Sequence, residues 1–120
     1  MNDEPQARAI VTERSQGICE ACGRARATDW SHRIARSRGG LWCPTNGLHL
    51  CRADHAWIHA HQEKARALGA IVETHLNPAE VPVRTRHGRV LLHPDGSMTA
   101  APMAVVLPAD MLDSREHLAF

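Results

Sequence analysis

Aromatic side chains are almost missing from this 120-residue chain, which has no tyrosine, one phenylalanine and three tryptophans. Hydrophobic residues still make up 43%, so the core has to be aliphatic and thin, and a domain of this size with such a core needs a staple. No apolar run approaches the length of a membrane span, which excludes a helical membrane protein. Residues 1–20 hold Asp3, Glu4, Glu13 and Glu20 and no apolar stretch, a pattern that reads against a secretory leader. The expectation is an intracellular, cytoplasmic protein without membrane contact, in which thiols stay reduced and free for metal. Internal repeats and low-complexity linkers are lacking too, which argues for one domain rather than an array.

One-sided charge is scarce overall, with a formal net charge of +1, but its distribution is uneven. Arg24, Arg26, Arg33, Arg36 and Arg38 face a single acid, Asp29, whereas Glu73, Glu80, Asp95, Asp110, Asp113 and Glu116 are spread through the second half. A basic stripe of that kind suits a phosphate backbone; its plainer alternative is a solvated loop.

Periodicity supplies an outline. Ala7, Ile10 and Val11 predict a short helix over 5–14, and Trp30 lies in a predicted strand over 28–34 that Gly39 and Gly40 interrupt. Leu48 and Leu50 alternate about His49 as a second strand. A helix is expected over 54–68, with Asp54 as N-cap and Gly69 as stop. Strand, loop, strand and helix make a ββα unit within 1–69. The remainder, 70–120, reads as a β-rich extension packed on the same domain. It has strands over 70–74 and 81–86, a hairpin of 89–93 and 97–100 turned at Pro94-Asp95-Gly96, and a terminal helix over 108–118.

Four cysteines are present. Cys19 and Cys22 have knuckle spacing, and Cys51 with Asp54 repeats that spacing downstream, so Cys19, Cys22, Cys51 and Asp54 form a feasible tetrahedral zinc set. Cys43 in place of Asp54 would give four thiolates and leave Asp54 to cap the helix; without metal, the cysteines would be small buried apolar groups. Among nine histidines, His55 and His59 are four apart on the predicted helix and share a face, as two ligands of one metal must. His32 lies beside the arginine stripe, where a neutral imidazole is placed to take a proton from water.

Together Cys19-x-x-Cys22, Ser31-His32-Arg33-Ile34, Arg36-Ser-Arg-Gly-Gly40, Asn46-Gly-Leu-His-Leu-Cys51 and His55-x-x-x-His59 resemble the HNH endonucleases, the ββα-metal nucleases. They are especially similar to the compact forms common in bacteriophage and actinobacterial genomes. The resemblance implies an α+β fold: a zinc-stapled ββα-metal core with an N-terminal helix and a C-terminal β-hairpin extension. It also implies hydrolysis of DNA phosphodiester bonds, by nicking or cutting, with low sequence specificity. In that reading His32 is the general base and Asn46 orients it and ties down the loop. His55 ligates a catalytic Mg2+ or Mn2+, with His59 as second ligand or phosphate contact, while Zn2+ is structural. Arg33, Arg36 and Arg38 hold flanking phosphates, DNA is the partner, and a phage packaging or other targeting protein is a further one. One position departs from the family: the residue before the base, usually an acidic or histidine ligand, is Ser31. Asp29, two residues earlier on the same strand face, is the expected substitute, directly or through water. If no substitute serves, the resemblance implies instead a catalytically weak or inactive zinc-stapled DNA-binding or packaging-accessory module.

Overall fold

The computed structural model describes residues 2–101; the terminal helix expected over 108–118 lies outside them. Helix α1 spans Glu4–Ser15. Asp3 starts it with a capping box, its carboxylate accepting the Gln6 amide at 2.9 Å while the Gln6 side chain accepts the Asp3 amide at 3.2 Å. Its buried stripe is Ala7, Val11 and Ser15, and left-handed Gln16 and Gly17 (φ 56° and 78°) end it. The chain then folds into the cysteine knuckle, closed by an Ile18–Arg26 bridge and by the Cys19 amide donating to the Ala25 carbonyl at 2.8 Å.

Strands β1 (Asp29–His32) and β2 (Gly47–Leu50) pair antiparallel, with Asp29 opposite Leu50 and His32 opposite Gly47. Gly47 is required by that register: a Cβ there would fall inside the Trp30 ring. Between the strands run two single-turn 3-10 segments, Arg36–Arg38 and Pro44–Asn46. After β2 come α2 (Arg52–Ala60) and α3 (Gln62–Ala67), where one continuous helix was expected. His61 breaks it with φ −132° and ψ 59°; its ring stacks on Trp57 at 4.7 Å and its Nδ1 lies 3.0 Å from the Trp57 carbonyl, competing with the helical ladder. Asp54 is not the N-cap either. Cys51 occupies that place without a side-chain capping bond, which puts Asp54 in the first turn on the same side as Cys51.

The second half forms a three-stranded antiparallel meander of β3 (Val83–Thr85), β4 (Gly88–Leu92) and β5 (Met98–Ala100). The β4–β5 hairpin turns at the expected Pro94-Asp95-Gly96, with Gly96 at φ 93° and Asp95 accepting the Ser97 amide at 2.9 Å. No strand forms over 70–74; the Val72 amide instead donates a single bond to the Arg33 carbonyl at 3.0 Å. One buried cluster joins Cys19, Leu48, Leu50, Trp57, Ile58 and Leu68 to Val83, Val90 and Leu92, so both sheets share a core. The result is an α+β domain whose N-terminal helix and small antiparallel sheets surround a cysteine-rich centre. Among the described residues no helix is long and apolar enough to cross a membrane.

Candidate functional site

The knuckle and the first turn of α2 bring Cys19, Cys22, Cys51 and Asp54 together, with one ligand atom from each lying within 4.8 Å of all the others. A tetrahedron built on Zn–S bonds of about 2.3 Å has edges of about 3.8 Å, so the four groups are spaced for one ion. Their chemistry points the same way. Cys19, Cys51 and Asp54 are buried, and the Cys19 thiol lies 3.2 Å from the Asp54 carboxylate. Burial pushes the Cys19 thiol up to about 12 and raises Cys51 as well. Without an ion these thiols stay protonated and Cys19 donates to Asp54; a bound cation would displace those protons, and three sulfurs with a carboxylate suit zinc. Cys43 takes no part: its sulfur lies 3.2 Å from the Thr45 hydroxyl, beside an apolar hollow lined by Leu41 and Leu76. The four-thiolate set is thereby corrected, because Cys43 sits on the loop before β2 and not on the knuckle side.

Next to this cluster is a chain of side chains from β1 to α2. The Asp29 carboxylate is 2.9 Å from His55 Nδ1, and His55 Nε2 is 3.2 Å from His59 Nε2. Two nitrogens about 3 Å apart match two ligands at about 2.1 Å from one ion, and a carboxylate behind an imidazole is the usual way to fix its tautomer and aim. Asp29 therefore stands behind His55 and is not beside the two Nε2 atoms. This placement suits an orienting group behind His55 better than the direct ligand expected from the sequence. The His55 hydrogen bond first, then that of the Thr28 hydroxyl, then the bond and charge of Arg52, hold the Asp29 carboxyl down at about 2. Ser31 is buried on the same strand face and borders the cleft that His59 also lines.

Trp30 and His32 belong to the other face of β1. The His32 ring packs against Trp42 at 4.5 Å and Trp30 at 5.8 Å, and its Nε2 is buried without a hydrogen-bond partner. Burial lowers its pKa below 6.5, with the Arg36 and Arg8 charges adding to the shift, so the neutral ring dominates at pH 7. Asn46 is buried and binds the loop that follows His32: its Oδ1 accepts the Ile34 amide at 2.8 Å, and its Nδ2 donates to the Ile34 and Leu41 carbonyls at 3.1 Å. No side-chain bond from Asn46 to His32 accompanies these; the side chain ties Ile34 to Leu41 across the loop.

The arginine stripe divides. Arg36 and Arg38 are exposed, and Arg36 lies over the Trp42 ring at 5.7 Å. Arg33 is 1% exposed and donates to the carbonyls of Thr45, Gly69, Pro78 and Val81 at 2.7–2.9 Å. Burial, and then the Arg14 charge, bring its pKa down to about 9, still a cation at neutral pH. As a phosphate contact Arg33 is thus overturned; it is the bolt that joins the loop, the end of α3 and the 3-10 turn Pro78–Glu80. Arg33→Lys loses the guanidinium fork and should destabilise the fold by about 2 kcal/mol. Thermal melting reads this, and a salt dependence of DNA binding equal to wild type would separate bolt from phosphate contact.

A second buried arginine was not singled out from the sequence. Arg14 pairs with Glu20 through two bonds of 2.7 and 2.8 Å, both side chains at most 4% exposed, and also donates to the Pro44 and Gly47 carbonyls at 2.8 Å. Glu20 in turn accepts the His49 amide at 2.8 Å. The pair clamps α1, the knuckle and the start of β2. No protein-family model, curated protein or solved structure matches this chain.

Proposed function

We propose that this protein is a metal-dependent endonuclease of the HNH kind, hydrolysing DNA phosphodiester bonds with little sequence preference. The observation that carries this reading is the pair of Nε2 atoms of His55 and His59, 3.2 Å apart and backed by Asp29, on the helix that follows the antiparallel β1–β2 ribbon. Two imidazoles leave the remaining positions of an ion open to water and substrate, which distinguishes such a site from the closed Cys19, Cys22, Cys51 and Asp54 cluster. A bound Mg2+ or Mn2+ supplies positive charge for the crowded phosphorus and the departing 3′ oxygen. The chain's residues do the rest. His32 accepts a proton from the attacking water, and since Nε2 is enclosed by the tryptophan rings, Nδ1 is the accepting atom. Asn46 holds the loop after His32 in place. Arg36 and Arg38 bind phosphates of either strand, a positioning role without base readout.

Because His32 is shifted below 6.5 by burial and by Arg36, the base stays unprotonated at neutral pH. Log kcat/KM should be flat near pH 7 and fall only below pH 6.5, and Arg36→Ala should move that acid limb to higher pH. A limb above that value in wild type contradicts the assignment of the base.

A short labelled DNA duplex, incubated with Mg2+ or Mn2+, tests the reaction itself. Cleavage leaving 3′-hydroxyl and 5′-phosphate ends is expected, and an intact duplex with every divalent ion tried overturns the enzyme reading. One observation favours a second reading. Ser31 offers only a neutral hydroxyl, and among the described residues the cysteine cluster alone brings three or more ligand groups within 4.8 Å. A zinc-stapled DNA-binding module that has lost cutting would retain DNA in a salt-sensitive manner and leave the duplex whole.

A further inference from the structure

A cleft of about 200 Å3 opens between the end of β1 and the helices α2 and α3, lined by His59, Gln62 and Arg66 from the helices and by Arg38 from the loop after β1. Ile58, Ile71 and Val72 also line it. Gln62 and Arg66 are four residues apart on α3 and so share a face. They are aimed separately from α2 because His61 breaks the helix between them and His59. Arg66 does not present a bare charge: its Nε lies 2.9 Å from the Glu73 carboxylate, and the two side chains are 42% and 49% exposed. An ion pair so open to water is weak and exchanges readily with another anion of similar shape.

We infer that this cleft seats a DNA backbone phosphate next to the one that is cut, held by Arg66 and Arg38, with Glu73 as a built-in competitor for the Arg66 guanidinium. The inference rests on the nuclease reading and extends it to residues outside the His32, Asn46 and His55 constellation. The chemistry is that of exchange. A guanidinium fork binds a carboxylate and a phosphate diester through the same parallel N–H bonds. His59 lines the cleft, so a phosphate on Arg66 belongs to a strand already passing the His55–His59 pair. Three arginines line the cleft, the buried Arg33 and the exposed Arg38 and Arg66, against a single acid, Glu73. Displacing that carboxylate on binding lowers the affinity of the resting protein for DNA and makes engagement of this cleft dependent on a strand that also reaches the histidines.

Fluorescence anisotropy of a labelled duplex, at several salt concentrations and with no added divalent ion, reads the inference without cleavage. Glu73→Gln should tighten binding about threefold, the scale of one exposed ion pair. Arg66→Ala should weaken it about threefold and reduce the slope of log Kd against log salt by about one. In an Arg66→Ala background, Glu73→Gln should change nothing. Equal tightening by Glu73→Gln with and without Arg66 overturns the exchange, since that result is general charge repulsion. Unchanged Kd and slope in both single variants of a protein that still cuts DNA overturns the cleft while leaving the nuclease. Wild type that neither binds nor cuts DNA overturns both.

Discussion

Stripping the metal from purified protein should abolish its cooperative unfolding transition, and Cys19→Ala should do the same. Structural zinc contributes on the order of 10 kcal/mol to the folding of small domains, which is as much as the whole stability of a typical one. Among the described residues no other group of three or more metal ligands could take the place of this cluster. The buried cluster built on Leu48, Leu50, Val83 and Leu92 closes around Cys19 and Cys51, and the knuckle anchors both sheets: the Glu20 amide donates to the His49 carbonyl and the Glu20 carbonyl accepts from the Arg86 amide, each at 2.8 Å. Releasing Cys19 and Cys22 frees that segment. It also leaves Asp54 as a buried acid whose sulfur neighbours are neutral, a combination that is costly without a cation. Metal content should fall in Asp54→Ala and stay at wild-type level in Cys43→Ser, whose sulfur is beside Thr45. A chelated protein that melts at the wild-type temperature contradicts the staple, and loss of zinc in Cys43→Ser alone contradicts the ligand set.

His32→Ala should slow cleavage by about 10²–10⁴, the usual yield of a positioned general base, while leaving DNA affinity nearly unchanged. The separation follows from the surroundings of the ring. His32 sits against the aromatic wall of Trp30 and Trp42 and stays neutral at pH 7, while the charge proposed to meet phosphate belongs to the exposed Arg36 and Arg38, so its removal takes away a proton acceptor and not a charged DNA contact. Single-turnover cleavage beside a binding titration makes the comparison. Equal cleavage by wild type and His32→Ala contradicts the role of the ring, and a matching loss of affinity would make it a binding residue.

Local patterns made much of this arrangement legible. Ala7 and Val11 mark the buried stripe of α1, and alternation about Trp30 and His49 marks β1 and β2. The Cys19–Cys22 spacing repeated as Cys51–Asp54 marks the metal cluster, because a knuckle and a helical first turn each put residues three apart on one side. What stayed hidden depends on tertiary position. Arg33 looks like the rest of the basic stripe and Arg14 like the exposed end of a short helix, and nothing adjacent in sequence says that carbonyls of Gly69, Pro78 and Val81 converge on the first and Glu20 on the second. The break at His61 is equally silent, since it arises from the ring stacking on Trp57 and not from a glycine or proline. Asp29 was legible as a partner of the site, but whether it faces the ion or the back of an imidazole is a matter of strand and helix placement.

The separation of a closed cysteine cluster from an open histidine pair is the centre of this account. Conversion of supercoiled plasmid to open circle in Mn2+ or Mg2+ tests it most directly, with wild type and His55→Ala run side by side and both shown to retain zinc and the wild-type melting temperature. Nicking by wild type and none by His55→Ala is the predicted result; equal nicking by both proteins, or none by wild type with either ion, would contradict it.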